Sequence, residues 1–586
     1  MSHWVRAAAT ADIGEGDAKS FAYLDKRIAV FRTSRGFFAC DNRCPHQGYA
    51  LVRGEITDGV LTCAWHNWKF ELGTGRCRYG GEDIRTYPVQ VSDGQVLVDI
   101  ADPPAEVIRP DLFASLTAAM EDLDVGRIAR DAMRLQRIGT PLADVVREGV
   151  RYAAPRAEYG WDHSLATLTD CLRMSHFFAE SLRALPVIQG LAVAAEDQVR
   201  RPARHRPDPA DLIAGYGSTD DALAAYPTLV EAERAEDAEA LLRGVIAAKV
   251  PPAALRHMLL TAVTDHFLAY GHSMIFVQKA FELLDQIGWD EADSVLSPLV
   301  PEMVLATRYD KLPYMRKFKM AWQAAQPDLA ALIRGRGNGA FDEDRYRRAL
   351  TDGSPEDAAS ALIGSLAGGA PVRAVLDATG RAAAERLARF DIELDLDDTN
   401  DWGWLDVTHT LTYLNALRWA WSADPSPQVL RGLFHAAWFV QWTGQFDRRG
   451  VAGPSRPHAT LDAADVHRAI ARRDPEAAVA LVRGYSGPRA ELERSLLQAA
   501  AEDHSTAPIM VAHVVKTARA AVEESRALGA GPQSVEPLAA AARFVASPKR
   551  ERFVIQSTLD AITTLRGVPR PESDVVRPAP DVVVSP

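Results

Sequence analysis

The chain has 586 residues, 47% apolar and 25% charged, and 66 Lys+Arg against 78 Asp+Glu give a net charge of −12. That composition suits a folded protein of several domains and excludes disorder, and the acidic balance lacks the basic footprint of a nucleic-acid binder. No apolar run of about 18 residues occurs, Met1 to Arg6 lacks the order of a signal peptide, and five cysteines make no disulfide framework. The expectation is a cytoplasmic chain without nucleic-acid or membrane partners.

Residues 28–31, 36–39, 60–62 and 95–98 are short runs rich in β-branched and aromatic residues, punctuated by Asp58-Gly59 and Asp93-Gly94. At 101–104 the pattern turns helical: Leu241, Leu242, Val245 and Ile246, then Leu259, Leu260 and Val263, fall at helical spacing. Residues 335–339 and 452–457 read as loops. The predicted architecture is multidomain α+β: a small antiparallel β-domain over 1–103, a large all-α domain over 104–566 and a flexible proline-rich tail over 567–586. The helical part also suggests a repeat. Residues 237–241 followed by Asp265-His266 resemble 475–479 followed by Asp503-His504, with 356–359 starting a copy that lacks the Asp-His pair. His272 and His513 follow these pairs, each sixteen residues before a glycine, Gly288 or Gly529. Shared alanine-rich composition is the alternative account.

Four of the five cysteines lie between Cys40 and Cys77. Among them are Cys44-Pro45-His46 and, sixteen residues on, Cys63-Ala64-Trp65-His66. Two Cys-His pairs on two loops supply thiolates for one iron and imidazoles for another, as a [2Fe–2S] cluster of mixed ligation requires. A Cys₂His₂ zinc site is the alternative, although zinc fingers space their ligands differently. The two half-motifs, with Gly48 and the Asp58-Gly59 turn, resemble the Rieske family. That resemblance implies a small antiparallel β-fold over about residues 3 to 100, with Cys44 and Cys63 on the buried iron and His46 and His66 on the exposed one. High-potential Rieske domains carry an extra cysteine in each loop, and here those positions are Tyr49 and Trp65. The expected potential is therefore toward the lower end, about −150 mV. Cys40 and Cys77 read as packing residues.

No Gly-x-Gly-x-x-Gly follows a strand and opens a helix, so electrons are expected from a separate ferredoxin or flavin reductase. The usual mononuclear iron motif of Rieske oxygenases is absent: Asp406 and His409 start it correctly, but Leu414 fills its last position. None of the fifteen histidines has Glu three residues before it, which disfavours a ferritin-like di-iron site. What remains is a scatter of histidines on helical segments: His163, His176, His266, His272, His409, His435, His504 and His513.

Around several of these the chain resembles the questin oxidase-like family. The matching stretches are residues 162–166, Asp265-His266 through Gly271-His272, 406–409 and 513–520. That family is all-helical and oxygenates or cleaves aromatic polyketides, and some members hold one non-haem iron with four histidines and a carboxylated lysine. The resemblance implies His163, His266 or His272, His409 and His513 as ligands. Lys516 would be the carbamate, one helical turn from His513, and Lys516 and Asp265 are the candidate catalytic residues. A basic stretch (Lys311, Arg316, Lys317, Lys319) interleaved with Tyr314, Phe318 and Trp322 offers a docking face or a solvated helix. Trp402, Trp404, Trp419, Trp421, Trp438 and Trp442 offer an aromatic pocket or core packing. The expected function is an iron-dependent oxygenase in which the cluster feeds a non-haem iron that activates O₂ against a small organic substrate. The alternative is a Rieske electron carrier whose helical part is a metal-free scaffold. Cluster and helical site could meet within one chain or across subunits of a homo-oligomer.

Overall fold

The computed structural model describes residues 2–316, 319–320, 340–399, 402–448, 457–551 and 554–566. The chain divides into two compact units, Met1–Pro141 and Leu142–Pro586.

The first unit begins with eleven strands: β1 (Trp4–Ala9), β2 (Ala18–Tyr23), β3 (Lys26–Thr33), β4 (Gly36–Asp41), β5 (Glu55–Thr57), β6 (Val60–Thr62), β7 (Lys69–Glu71), β8 (Cys77–Tyr79), β9 (Thr86–Tyr87), β10 (Val89–Ser92) and β11 (Gln95–Asp99). They pair antiparallel in three sheets ordered β1-β11-β10, β2-β3-β4-β9 and β5-β6-β7-β8. β3 explains how the sheets share a core. Ala29 and Phe31 face one cluster, with Leu61 and Phe70, whereas Ile28 and Val30 face another, with Val96 and Val98. Alternation along a strand sends successive side chains to opposite faces, so a continuous apolar run marks a strand buried on both.

Two helices complete this unit, α1 (Ala105–Glu121) and α2 (Val125–Arg137). The composition shift near residue 103 thus marks the end of the β-structure, not of the compact unit. α2 buries Ile128, Ala132 and Leu135 at helical spacing. It is tied to the β-domain by Arg130 and Arg134, which donate to the buried Glu82 carboxylate at 2.7 and 2.5 Å.

The second unit is helical and repeats one plan. Helices Thr219–Glu231, Ala235–Ala247 and Pro252–Val263 precede His272–Ile287. Helices Glu343–Thr351, Pro355–Ala367 and Val372–Arg389 precede Trp404–Ala423, and Ala463–Ala471, Pro475–Gly484 and Arg489–Ala500 precede Pro508–Ala527. In each copy the first joint has three residues and the second has four, ending in Pro251, Pro371 or Pro488. Proline fixes φ and disfavours helix in the residue before it, so it ends one helix and starts the next. Along the chain, the spacing from Ala105 to Ala153 that precedes His163–Met174 is the same, with Pro141 at the joint. The repeat read from sequence as two copies and a degenerate third is fourfold in helix order.

The last helix of each copy carries one histidine: His163, His272, His409 and His513. These four helices pack in a closed ring, each against the next, with the His513 helix returning to the His163 helix. Each histidine lies in the first or second turn, and the helices meet again six to eleven residues later through Lys279–Asp170, Gln278–Asn415 and Asn415–Glu524. The four helices therefore run in one direction.

The tryptophans serve packing. Trp404 lies against Phe390 and Phe544, Trp438 against Phe267 and Phe439, and Trp402 against Trp442 and Phe446. Among the described residues no helix is long and apolar enough to cross a membrane. Of the basic stretch, Lys311 pairs with Glu231 and Lys319 lies 3.7 Å from Asp310. Lys317, Phe318, Trp322, the Tyr314 side chain, residues 335–339, 452–456 and the tail lie outside the described residues.

Candidate metal centres

Cys44 and His46 sit on the loop after β4, Cys63 and His66 on the loop between β6 and β7. Each loop is folded by its own backbone. The Cys44 N–H donates to Tyr49 O and Gly48 N–H to Cys44 O, both at 2.8 Å, and Cys63 N–H donates to Trp68 O at 2.8 Å. These turns bring the two imidazoles edge to face with centroids 4.4 Å apart, and His46 stacks on Trp68 at 5.0 Å. Both thiols are buried, while His66 is exposed. Burial, with the neighbouring Cys63 thiol, pushes the Cys44 thiol up to about 12, so a metal is needed to hold it as thiolate. His46 Nδ1 is buried with no hydrogen-bond partner among the described residues. That orphaned nitrogen, beside two buried thiols, fits an iron–sulfur cluster. Where high-potential relatives carry a disulfide, Tyr49 and Trp65 touch across the loops at 5.6 Å. Cys40 is buried in β4, Cys77 lies in β8, and all five cysteines are free.

The second constellation closes the helix ring. His272 Nε2 lies 3.0 Å from His163 Nε2 and 2.8 Å from His409 Nε2, and His513 Nε2 lies 3.4 Å from His409 Nε2. Lys516 Nζ is 2.9 Å from His409 Nε2 and 3.4 Å from His272 Nε2. The other ring nitrogens settle the tautomers. His272 Nδ1 meets Ala269 O at 2.6 Å, His409 Nδ1 meets Leu405 O at 2.5 Å, and His513 Nδ1 meets Ile509 O at 2.6 Å. A carbonyl only accepts, so each Nδ1 carries the proton and each Nε2 presents a lone pair.

Burial holds all four imidazoles well below their ordinary range, and so neutral. The lone pairs of His272 and His409 thus face each other at 2.8 Å, an arrangement that a bound cation would stabilise. Separations of 2.8–3.4 Å also match neighbouring donors around a first-row metal with bonds of about 2.1 Å. Burial likewise holds the Lys516 amine well below the usual lysine range.

Local backbone aims His272. Ala269, Tyr270 and Gly271 are all left-handed, with φ of 43°, 57° and 88°. Only glycine fits the third position, where a Cβ would lie 2.3 Å from Tyr413 Cδ2. Strain in consecutive residues persists where the surroundings impose it, often at functional sites. The turn sets Tyr270 beside His409, with centroids 6.0 Å apart, and against Tyr309 at 4.3 Å. Tyr270 is hydrogen-bonded to Asp406, whose carboxyl burial pushes up to about 7. Ser273, next to His272, donates to Glu302 at 3.0 Å; burial pushes the Glu302 carboxyl up to about 8, and its second oxygen has no partner among the described residues.

Of the sequence candidates, His163, His272, His409, His513 and Lys516 come together, whereas His266 and Asp265 do not join them. His266 is held between two carboxylates, Asp310 at 2.8 Å and Glu231 at 2.9 Å, and Asp265 is exposed and paired with Arg431. His504 bonds Ala499 O at 2.6 Å, and His435 packs against Phe267. The strained turn and the buried Glu302 escaped sequence reading; the Tyr270-Gly271 step before His272 was the available signal for the turn.

Two Cys-His loops on a small three-sheet β-domain define an iron–sulfur protein of mixed ligation. A family model, "Rieske [2Fe-2S] domain", matches residues 3–88, and the chain belongs to that family through this domain. Oxidoreductase NdmD of Pseudomonas putida is 29% identical over 119 residues, 18% of this chain; the chain spans only 20% of that protein's length. The ferredoxin component of the naphthalene 1,2-dioxygenase/salicylate 5-hydroxylase systems of Ralstonia sp is 31% identical over 98 residues, 16% of this chain and 94% of that protein. The Rieske domain is thus homologous to ferredoxin components of oxygenase systems. Among solved structures, Sphingomonas yanoikuyae B1 ferredoxin is 25% identical over 17% of this chain and 100% of that one, with a TM-score of 0.16.

Proposed function

We propose that the chain is an oxidoreductase in which a Rieske [2Fe–2S] cluster feeds electrons to a histidine-held non-haem iron in the helical unit, and that O₂ is used there to oxygenate or cleave a small aromatic substrate. The observation that carries this reading is the convergence of four imidazole Nε2 atoms and one buried lysine amine at the centre of the helix ring. When bound, the cluster supplies one-electron transfer and the iron supplies O₂ activation. His163, His272, His409 and His513 hold the iron, and Lys516 joins them as a carbamate. Burial, which disfavours the ammonium form, suits that role: the lone pair of the deprotonated amine forms the C–N bond to CO₂, one C=O π pair moves onto oxygen, and the N–H proton passes to water.

Substrate approach is favoured from the side of His163 and His272, which are half-buried, whereas His409, His513 and Lys516 are fully buried. Tyr270, beside His409, and Tyr309 against it offer aromatic ring faces close to the site. A separate ferredoxin or flavin reductase reduces the cluster, in keeping with relatives that are components of multi-protein oxygenase systems.

Metal stoichiometry tests the reading. After anaerobic reconstitution with ferrous iron and sulfide, three irons per chain are expected, two after His409→Ala and one after Cys63→Ser. Two irons in the parent chain, unchanged by His409→Ala, would remove the helical iron from the scheme.

A further inference from the structure

Beneath Lys516, the ring is crossed by a second polar layer that the metal site does not use. Lys279 Nζ bonds Asp170 Oδ1 at 2.8 Å and Glu282 Oε2 at 3.3 Å. Arg173 pairs with Glu282 and, at 3.2 Å, with Glu523, and Arg519 bonds Glu523 at 2.6 Å. Gln278 joins Glu282 at 3.1 Å and Asn415 at 3.2 Å. Three cations and three anions close a neutral network, yet the layer is not saturated. Asp170 Oδ2, Gln278 Oε1, Thr517 Oγ1 and Arg519 Nε are buried and have no hydrogen-bond partner among the described residues. Their residues are all at most 3% exposed.

Four orphaned polar atoms from three helices at one level of a bundle are unusual, because buried polar groups are normally paired by protein or by ordered water. Water has a source next to them. A cavity of about 410 Å³, lined in part by Arg173, His176, Glu282, Asp285 and Arg519, shares Arg173, Glu282 and Arg519 with the network. It has room for roughly a dozen waters at about 30 Å³ each. At the inner end, Thr517 follows Lys516 directly, and Arg519 lies three residues, about 4.5 Å of helix, beyond it.

We propose that this layer is a hydrated proton route, running from the cavity past Arg519 and Asp170 to Thr517 and Lys516, separate from the substrate side at His163 and His272. The proposal rests on the reading that O₂ is reduced at the helical site, where protons are consumed. The Nδ1 atoms of His272, His409 and His513 are committed to backbone carbonyls, so these rings cannot relay protons outward. Side chains and waters in a chain can pass them instead. Each proton enters from cavity water, moves by exchange between neighbouring waters and Asp170, and is delivered at the Lys516 end. No bond other than O–H or N–H is made or broken.

A crystal structure of the full chain tests the hydration directly. Ordered waters are expected on Asp170 Oδ2, Gln278 Oε1 and Thr517 Oγ1, continuous with the cavity. A dry layer in which these atoms find protein partners overturns the proposal. The double variant Asp170→Leu/Lys279→Met then tests the route, since apolar residues of similar size often replace a buried ion pair without loss of fold. On mixing the reduced chain with O₂, an indicator dye should report proton uptake slowed at least tenfold in the variant, with helical iron content unchanged. A hydrated layer with proton uptake unaltered in the variant overturns the route alone. A parent chain that binds the helical iron but reduces no O₂ overturns the function reading and the route with it.

Discussion

Replacing Glu302 with glutamine isolates the energetic effect of one buried carboxyl beside the helical site. In the folded chain this group stands at about 8 because of burial, against an ordinary value of 4.5, and its one bond is from Ser273. A folded value above the unfolded one means that the unfolded chain loses this proton first. The group's contribution to stability is fully present below 4.5 and falls as pH rises toward 8, by up to about 1.4 kcal/mol per pH unit. Between pH 5.5 and 7.5 the integrated loss is about 2.5 kcal/mol. Glutamine keeps the acceptor for Ser273 and does not titrate, so the E302Q chain lacks this slope. Urea denaturation followed by far-UV circular dichroism, in chelator at the two pH values, measures the difference. The other groups titrate alike in both chains and cancel. The stability gap should move in favour of E302Q by about 2.5 kcal/mol from pH 5.5 to 7.5. A movement below about 0.5 kcal/mol would mean that the carboxyl is ionised or hydrated in the folded chain, and the reasoning would fail.

Gly271→Ala forces a side chain onto a left-handed residue and into the Tyr413 ring. It should cost about 2–4 kcal/mol in the helical unit and displace His272; iron analysis should show loss of the helical iron with the cluster retained. Glu82→Gln leaves Arg130 and Arg134 without their carboxylate. Because Arg134 is 43% exposed and can turn to water, the cost should be only about 1–2 kcal/mol, seen as earlier thermal bleaching of the cluster's visible absorbance.

The two candidate metal centres were unequally legible in sequence, for a physical reason. Cys44, His46, Cys63 and His66 lie on two short loops, so their spacing alone expresses the geometry that a cluster needs. The converging histidines of the helical unit are 109, 137 and 104 residues apart along the chain, from His163 to His272 to His409 to His513. No local pattern records that four separate helices close into a ring. The ligand set expected from sequence named three of these histidines and left the choice between His266 and His272 open. The fold separates those two, because His266 precedes the strained turn and meets Asp310, whereas His272 follows it and points inward. The repeat was visible in part through its alanine-rich helices. Its clearer marks were the joints ending in Pro141, Pro251, Pro371 and Pro488, which recur at fixed positions in the helix plan.

The backbone bonds to His272, His409 and His513 have a practical consequence for anyone preparing the protein. Three lone pairs are aimed before any ion arrives, so little reorganisation is left by which the cage could discriminate. Imidazole accepts zinc, copper and iron alike, and ferrous iron stands low in the order of intrinsic affinities. Occupancy is then decided by supply during expression. A zinc-rich culture should then yield chains that are full, well folded and redox-silent at this site, and a carbamate on Lys516, as proposed above, would be the one oxygen donor to tilt the balance toward a harder ion.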